Sequence, residues 1–284
     1  MGFSKVKTYG ELVMFSHTLF SLPFAIIAML WAAQGLPSGK VIFWMLVALI
    51  GARNGANALN RLVDRRIDAR NPRTANRHLP MGSVKVYEVV GLVILCFSLM
   101  VLAAFMLNPL CVKLLPLALV AFGVYSYTKR FTWACHVVLG IACGGAPVGA
   151  WMAVTGEVGW PSIVLGAVVT LWVAGFDIIY ATQDVDFDRS QRLFSIPAQF
   201  GIKNSLYIAA FFHGTVIALL MYLYYLMNMG SLYLIGVSIA GVLLFVEHMM
   251  VSPKNLKTMK IASYNINQIL SVVLCIFVAL DIFI

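Results

Sequence analysis

Charge is what this sequence has least of. Of its 284 residues, 11% are Asp, Glu, Lys or Arg, against about 25% in a soluble globular chain. That excludes a soluble domain, and it excludes a disordered chain more firmly, because disorder needs low hydrophobicity together with high charge. Cysteine and histidine are scarce too, five of each. Cys96, Cys111, Cys135, Cys143 and Cys275 all fall in apolar runs, with no CxxC spacing and no His-rich neighbour. Neither a disulfide framework nor a zinc site is expected, and the cysteines read as small packing residues. There is no low-complexity segment and no convincing internal repeat. Nothing at the N-terminus reads as a cleavable signal peptide, since it leads straight into a span of full length.

What the chain does have is apolar residues, 61% of the total, and a mean hydropathy of +0.90. They come in runs near the roughly 20 residues a helix needs to cross the hydrocarbon core. Such runs lie near 14–33, 41–60, 87–107, 110–127, 134–154, 162–182, 206–227, 231–250 and 263–284. The expectation is an all-α integral membrane protein, one domain over residues 1–284, with nine transmembrane helices in the bilayer and loops forming a cap at one end.

Twenty Lys and Arg against eleven Asp and Glu give a net charge of +9. In a soluble chain that excess would suggest nucleic acid; here it suggests loops on the cytoplasmic side, and no nucleic-acid partner is expected. With the N-terminus inside and sides alternating, the cytoplasmic segments hold Lys5, Lys7, Arg61, Arg65, Arg66, Arg70, Arg73, Arg77, Lys85, Lys129, Arg130, Arg189, Arg192, Lys203, Lys254, Lys257 and Lys260, seventeen of the twenty. The predicted location is the cell (inner) membrane, with the N-terminus cytoplasmic and the C-terminus outside.

Six of the eleven acids lie in two places, at the expected cytoplasmic ends of the second and sixth spans: Asp64 and Asp68, then Asp177, Asp184, Asp186 and Asp188. Asn60, Asp64 and Asp68 follow at i, i+4 and i+8, so a helix continuing through them stacks them on one face. Asp177, Asp184 and Asp188, spaced by seven and four, are expected to share a helical face as well; Asp186 falls off it. Clustered carboxylates without a cation repel one another. Two acidic stripes suit Mg²⁺, a hard ion bound by a few carboxylates together with phosphates and waters. Arg65, Arg73, Arg77, Arg189 and Arg192 are interleaved, and the planar guanidinium suits phosphate oxygens. Acids for metal and arginines for phosphate at the end of an apolar bundle imply a ligand with a diphosphate head and an apolar tail.

The run Asn60-Arg61-Leu62-Val63-Asp64-Arg65-Arg66-Ile67-Asp68, followed by Arg73-Thr74-Ala75-Asn76-Arg77, resembles the first signature, NDxxDxxxD, of the UbiA superfamily of intramembrane prenyltransferases. Asp184-Val185-Asp186-Phe187-Asp188 resembles the second, DxxxD, with Asp177 matching an upstream aspartate. Tyr125-Ser126-Tyr127-Thr128-Lys129 is similar to the family's YxxxK element. The resemblance implies transfer of a prenyl group from a polyprenyl diphosphate to an acceptor, with Mg²⁺ bridging the two aspartate motifs and the diphosphate. It assigns Asn60, Asp64, Asp68, Asp177, Asp184 and Asp188 to the metal shell and Arg73, Arg77, Lys129, Arg189 and Arg192 to the diphosphate. Tyr125 and Lys129 would assist its departure. Arg61 stands where the family has an Asp, a position expected to lie off the acidic face.

Within the family the chain is most similar to 4-hydroxybenzoate polyprenyltransferases and to relatives in menaquinone synthesis that act on a dihydroxynaphthoate; the Ser16–Phe24 segment and the Arg-Thr-Ala-Asn-Arg run carry that likeness. Both acceptors keep a carboxylate, so a buried cation should receive it. Arg53, within the second span, is the first candidate and Arg130 the second. His17 would touch the acceptor or make a helix–helix hydrogen bond. His136, His213 and His248 lack ligand spacing and read as structural. Gly144-Gly145-Ala146-Pro147 reads as close packing with a kink. Glu247 and Asp281 stay unassigned. The rival readings are a haem- or chlorophyll-type member of the same family, a CDP-alcohol phosphotransferase, whose DGxxAR lead-in is absent, and a secondary transporter, whose site would lie near the midplane instead of at one face.

Overall fold

The computed structural model describes residues 2–14, 18–252 and 261–284. Among them every regular element is helical: α1 (Gly2–Leu12), α2 (Thr18–Ala33), α3 (Gly39–Arg70), α4 (Val86–Leu107), α5 (Pro109–Thr128), α6 (Cys135–Thr155), α7 (Trp160–Ala181), α8 (Val185–Ser190), α9 (Ile196–Leu226), α10 (Ser231–Met250) and α11 (Asn267–Phe283). A 3₁₀ turn, Thr182–Asp184, joins α7 to α8, and a π turn, Ile261–Ile266, precedes α11. Among the described residues eight helical stretches are long and apolar enough to cross a membrane, and a shorter apolar one covers Phe20–Ala33. The chain is a multi-pass membrane protein. Of the first expected span, near 14–33, residues 18–33 form α2, and residues 15–17 lie outside the described residues.

Helix α3 runs past the expected end of its span. Its 32 residues extend about 48 Å, enough to carry its last turns out of the hydrocarbon. Ser38 caps the start, its Oγ accepting from the Val41 N–H at 3.4 Å. The end falls at Asn71, in extended conformation at φ −84° and ψ 117°, because Pro72 disfavours the helical region for the residue before it.

The structure divides into two compact units, Met1–Thr18 with Ser38–Tyr127, and Leu19–Pro37 with Thr128–Ile284. In the first unit α3 and α4 pack closely through two glycines one turn apart. A Cβ on Gly51 would stand 2.5 Å from the Cys96 carbonyl oxygen, and one on Gly55 would stand 2.6 Å from the Phe97 ring. This small-xxx-small pattern lets backbones approach where lipid supplies no hydrophobic drive. Beyond it, Leu12, Val13, Ala58, Leu79, Val84 and Val89 form a core that holds α1 and the 71–85 loop against α3 and α4.

In the second unit α7 is the most deeply buried span. Gly144 meets Gly166 of α7, as the close-packing reading expects, whereas a Cβ on Gly145 would meet nothing within 4 Å. Trp172 donates to Asn267 Oδ1 at 2.6 Å, and Asn267 donates to Glu247 Oε1 at 2.8 Å. His213 lies 2.9 Å from His248 and 3.3 Å from the Trp172 carbonyl. These contacts place the two histidines and Glu247 in one buried network across α7, α9, α10 and α11. Asp281 also finds a use, accepting from the N–H groups of Gly230 and Tyr233 at the start of α10. All five cysteines are free.

Candidate active site

Helix α3 delivers the first acidic stripe as its spacing requires. Asn60 donates to Asp64 Oδ2 at 3.0 Å, one turn on. Asp68 is buried, and Arg77 donates to its Oδ1 at 2.7 Å. The return of Arg77 is built by the loop sequence. Asn71 Oδ1 accepts from the Arg73 N–H and Asn71 O from the Ala75 N–H, while Thr74 Oγ1 donates to the Asp68 carbonyl at 3.0 Å. That turn brings the chain back over the end of α3 within nine residues. Arg73 is exposed beside it, and Arg53 lies partly buried on α3, seven residues before Asn60.

Arg61 departs from expectation. Its Nη1 stands 4.0 Å from Asp68 Oδ2, so the Asp68 carboxylate has an arginine on each side. Positions 61 and 68 are seven residues apart, two turns along one face, because the i, i+4, i+8 stripe drifts by about 80° around the helix and brings Asp68 into line with Arg61. Arg61 also donates to the Leu12 carbonyl at 3.4 Å and contacts Met14 Sδ. The residue standing in for an acid therefore ties the N-terminal segment to the stripe.

The second acidic set does not lie on one continuous α-helix. After Ala181 the helix tightens to 3₁₀ over Thr182–Asp184, and Thr182 Oγ1 donates back to the Ile179 carbonyl at 2.7 Å. That local bond competes with the i−4 ladder, and Asp177 lies on α7 before the change while Asp184 and Asp188 lie at and beyond it. Asp177 instead pairs with His136, Oδ2 to Nδ1 at 2.7 Å. Asp184 is buried, and Asp186 is exposed. Asp188 is fully buried, with Lys129 Nζ 2.8 Å from Oδ1 and Ser195 Oγ donating to Oδ2 at 3.0 Å. Burial alone would push the Lys129 ammonium down, but the charge and hydrogen bond of Asp188, with the charge of Asp184, hold it above the ordinary lysine range. It stays charged at neutral pH. Ile178, Ile179, Ile196 and Ala209 pack the end of α7 against the start of α9, which fixes this turn. Arg189 donates to the Ala198 carbonyl at 2.9 Å; Arg192 is exposed, with φ 54°.

Tyr125, partly buried near the end of α5, belongs to the first unit, while Lys129 and the partly buried Arg130 belong to the second. His17 lies outside the described residues. Sequence reasoning missed Ser195 and the His136–Asp177 pair. The Ser195-Ile196-Pro197 run was a readable helix start, but no spacing rule links positions 41 apart.

The candidate metal donors are hard oxygens: the Asn60 amide with the Asp64 and Asp68 carboxylates in the first unit, and the Asp177, Asp184 and Asp188 carboxylates in the second. Among the described residues no three His, Cys, Asp or Glu form a cage for a metal ion. Donors of this kind suit Mg²⁺, which keeps waters and takes substrate phosphates as ligands.

The UbiA prenyltransferase family matches residues 21–269. The 4-hydroxybenzoate octaprenyltransferase of Vibrio parahaemolyticus is 30% identical over 84% of this chain and 82% of its own length; that of Vibrio campbellii is 30% identical over 73% and 74%. Among solved structures, a UbiA homologue from Aeropyrum pernix K1 aligns with a TM-score of 0.85 at 30% identity, covering 94% of this chain and 98% of that one. A UbiA homologue from Archaeoglobus fulgidus, bound to GPP and Mg²⁺, shares the fold with a TM-score of 0.64 at 20% identity, over 94% and 99%.

Proposed function

This chain belongs to the UbiA prenyltransferase family, and from that premise we propose that it transfers a polyprenyl group from polyprenyl diphosphate to an aromatic hydroxy acid, 4-hydroxybenzoate or a dihydroxynaphthoate, in quinone biosynthesis. The observation that carries the reading is the pairing at each motif. Asp68 and Asp188, the last acids of the two motifs, are each engaged by a cation suited to phosphate, Arg77 at 2.7 Å and Lys129 at 2.8 Å.

In this reading Asn60, Asp64, Asp68, Asp184 and Asp188 hold Mg²⁺ with the diphosphate, and Asp177, engaged by His136, completes the acid set. Bound Mg²⁺ supplies Lewis-acid neutralisation of the leaving diphosphate. Arg73, Arg77, Lys129, Arg189 and Arg192 add positive charge where negative charge builds up, which lowers the barrier because that charge is already in position. Tyr125 helps hold the diphosphate end. As the C1–O bond of the prenyl group breaks, the electron-rich ring forms the new carbon–carbon bond, and a carboxylate takes the ring proton. Segments 61–86 and 183–204 keep water from the allylic centre. Arg53 receives the acceptor carboxylate, with Arg130 as the alternative.

The basic excess argues for a cytoplasmic N-terminus and a site on the cytoplasmic side of the cell membrane. A cysteine introduced at Arg73 would then be labelled by an impermeant thiol reagent only in inverted vesicles. Labelling in right-side-out vesicles would reverse the topology. The acceptor is tested by offering radiolabelled polyprenyl diphosphate to membranes with a panel of 4-hydroxybenzoate, dihydroxynaphthoates and porphyrins. Label should move to a hydroxy acid; label moving only to a porphyrin would overturn the acceptor class.

A further inference from the structure

Ser195 lies beside the second acidic motif, fully buried, and both sides of its hydroxyl are used. The hydroxyl donates to Asp188 Oδ2 at 3.0 Å and accepts from the Ala198 N–H at 3.2 Å. It has one proton, and that proton goes to the carboxylate. Its backbone is the N-cap of α9, extended at φ −152° and ψ 158°, so the hydroxyl is held from behind by a helix terminus.

Asp188, equally buried, offers its other oxygen to Lys129 Nζ at 2.8 Å. Because the two partners take different oxygens, rotating the carboxylate breaks both contacts. The backbone is joined at the same place: the Phe194 N–H donates to the Lys129 carbonyl and the Leu193 N–H to the Asp188 carbonyl, both at 2.8 Å. A line of contacts therefore runs from the start of α9, through Ser195 and Asp188, to a lysine ammonium. That ammonium sits on a flexible four-carbon stem and needs such a hold to keep one position.

We infer that Ser195 is a positioning residue for prenyl transfer, acting through Asp188 to hold the Lys129 ammonium where the diphosphate is bound. The inference rests on the diphosphate role proposed above for Lys129. The competing role is a helix cap and nothing more. A cap acts on folding, so its loss would weaken binding regardless of what stands at position 129. A positioning role acts only while the lysine is present.

The test is a double-mutant cycle on the purified full chain in nanodiscs, reading equilibrium binding of farnesyl thiolodiphosphate, an unreactive analogue, with Mg²⁺, and the thermal midpoint alongside. Ser195→Gly spares the cap, since glycine is tolerated at an N-cap far better than alanine; Ser195→Ala is read in parallel should the glycine variant fold poorly. With Lys129 present, removing the hydroxyl should weaken binding about tenfold, the scale of a lost charged hydrogen bond. In a Lys129→Ala background the same change should cost less than about twofold, because coupled residues do not add. Ser195→Thr, which keeps the hydroxyl, should bind within about twofold of wild type on the same scale. Equal losses in both backgrounds, or no loss where wild type binds, would overturn the positioning role alone. A wild-type chain that does not bind the analogue would overturn the functional reading and this inference with it.

Discussion

Arg53 stands on α3 seven residues before Asn60, partly buried within a helix that crosses the membrane. An arginine at that depth is costly and needs an anionic or polar counterpart. If it holds the acceptor carboxylate, Arg53→Ala should raise KM for the aromatic acid far more than for the polyprenyl diphosphate. The loss of a charged hydrogen bond, about 1.5–3 kcal/mol, corresponds to about ten- to a hundredfold. Lysine should rescue only part, since it lacks the bidentate fork. An unchanged acceptor KM with a raised diphosphate KM would move Arg53 to the diphosphate and leave Arg130 for the carboxylate. Asp64→Ala and Asp184→Ala should each abolish transfer while the protein still inserts, and wild-type turnover by either purified variant would remove that motif from the site. At this scale the sequence was legible wherever chemistry repeats at helical spacing, as for Asn60, Asp64 and Asp68. It was opaque where the drift of a stripe or a long-range partner decides. Arg61 meets Asp68 because the acidic stripe drifts around α3 until the two share a face, and His136 meets Asp177 across 41 positions.

Elements explain why the two acidic sets look different. Helix α3 passes through its motif unbroken, whereas α7 tightens to 3₁₀ before Asp184. Hydrophobic runs mark where a span lies but not where its hydrogen-bond pattern changes, and the back-bond of Thr182 is invisible to them. The α3–α4 crossing gives a direct test of packing. A Cβ at position 51 meets the Cys96 carbonyl oxygen at 2.5 Å, a backbone atom that cannot swing away. Gly51→Val should therefore destabilise the protein by about 1–3 kcal/mol, read as a lowered thermal midpoint in detergent. An unchanged midpoint would mean that the two helices do not approach so closely.

At the scale of the whole molecule, composition settled the class early. So little charge in so apolar a chain leaves only a membrane protein, and the family match over residues 21–269 covers most of its length. What composition could not supply is the pairing of cations with the last acid of each motif, because Arg77 and Lys129 reach Asp68 and Asp188 through loop turns set by Asn71, Thr74 and Ser195. The central claim is metal-dependent prenyl transfer by this chain alone. It is tested most directly by incubating the purified protein in liposomes with polyprenyl diphosphate and 4-hydroxybenzoate or a dihydroxynaphthoate, and weighing the aromatic product by mass spectrometry. The account predicts a product heavier by one prenyl chain, lost on addition of EDTA and restored by excess Mg²⁺. Product formed at full rate in EDTA, or no prenylated product from any aromatic acid with Mg²⁺ present, would contradict it.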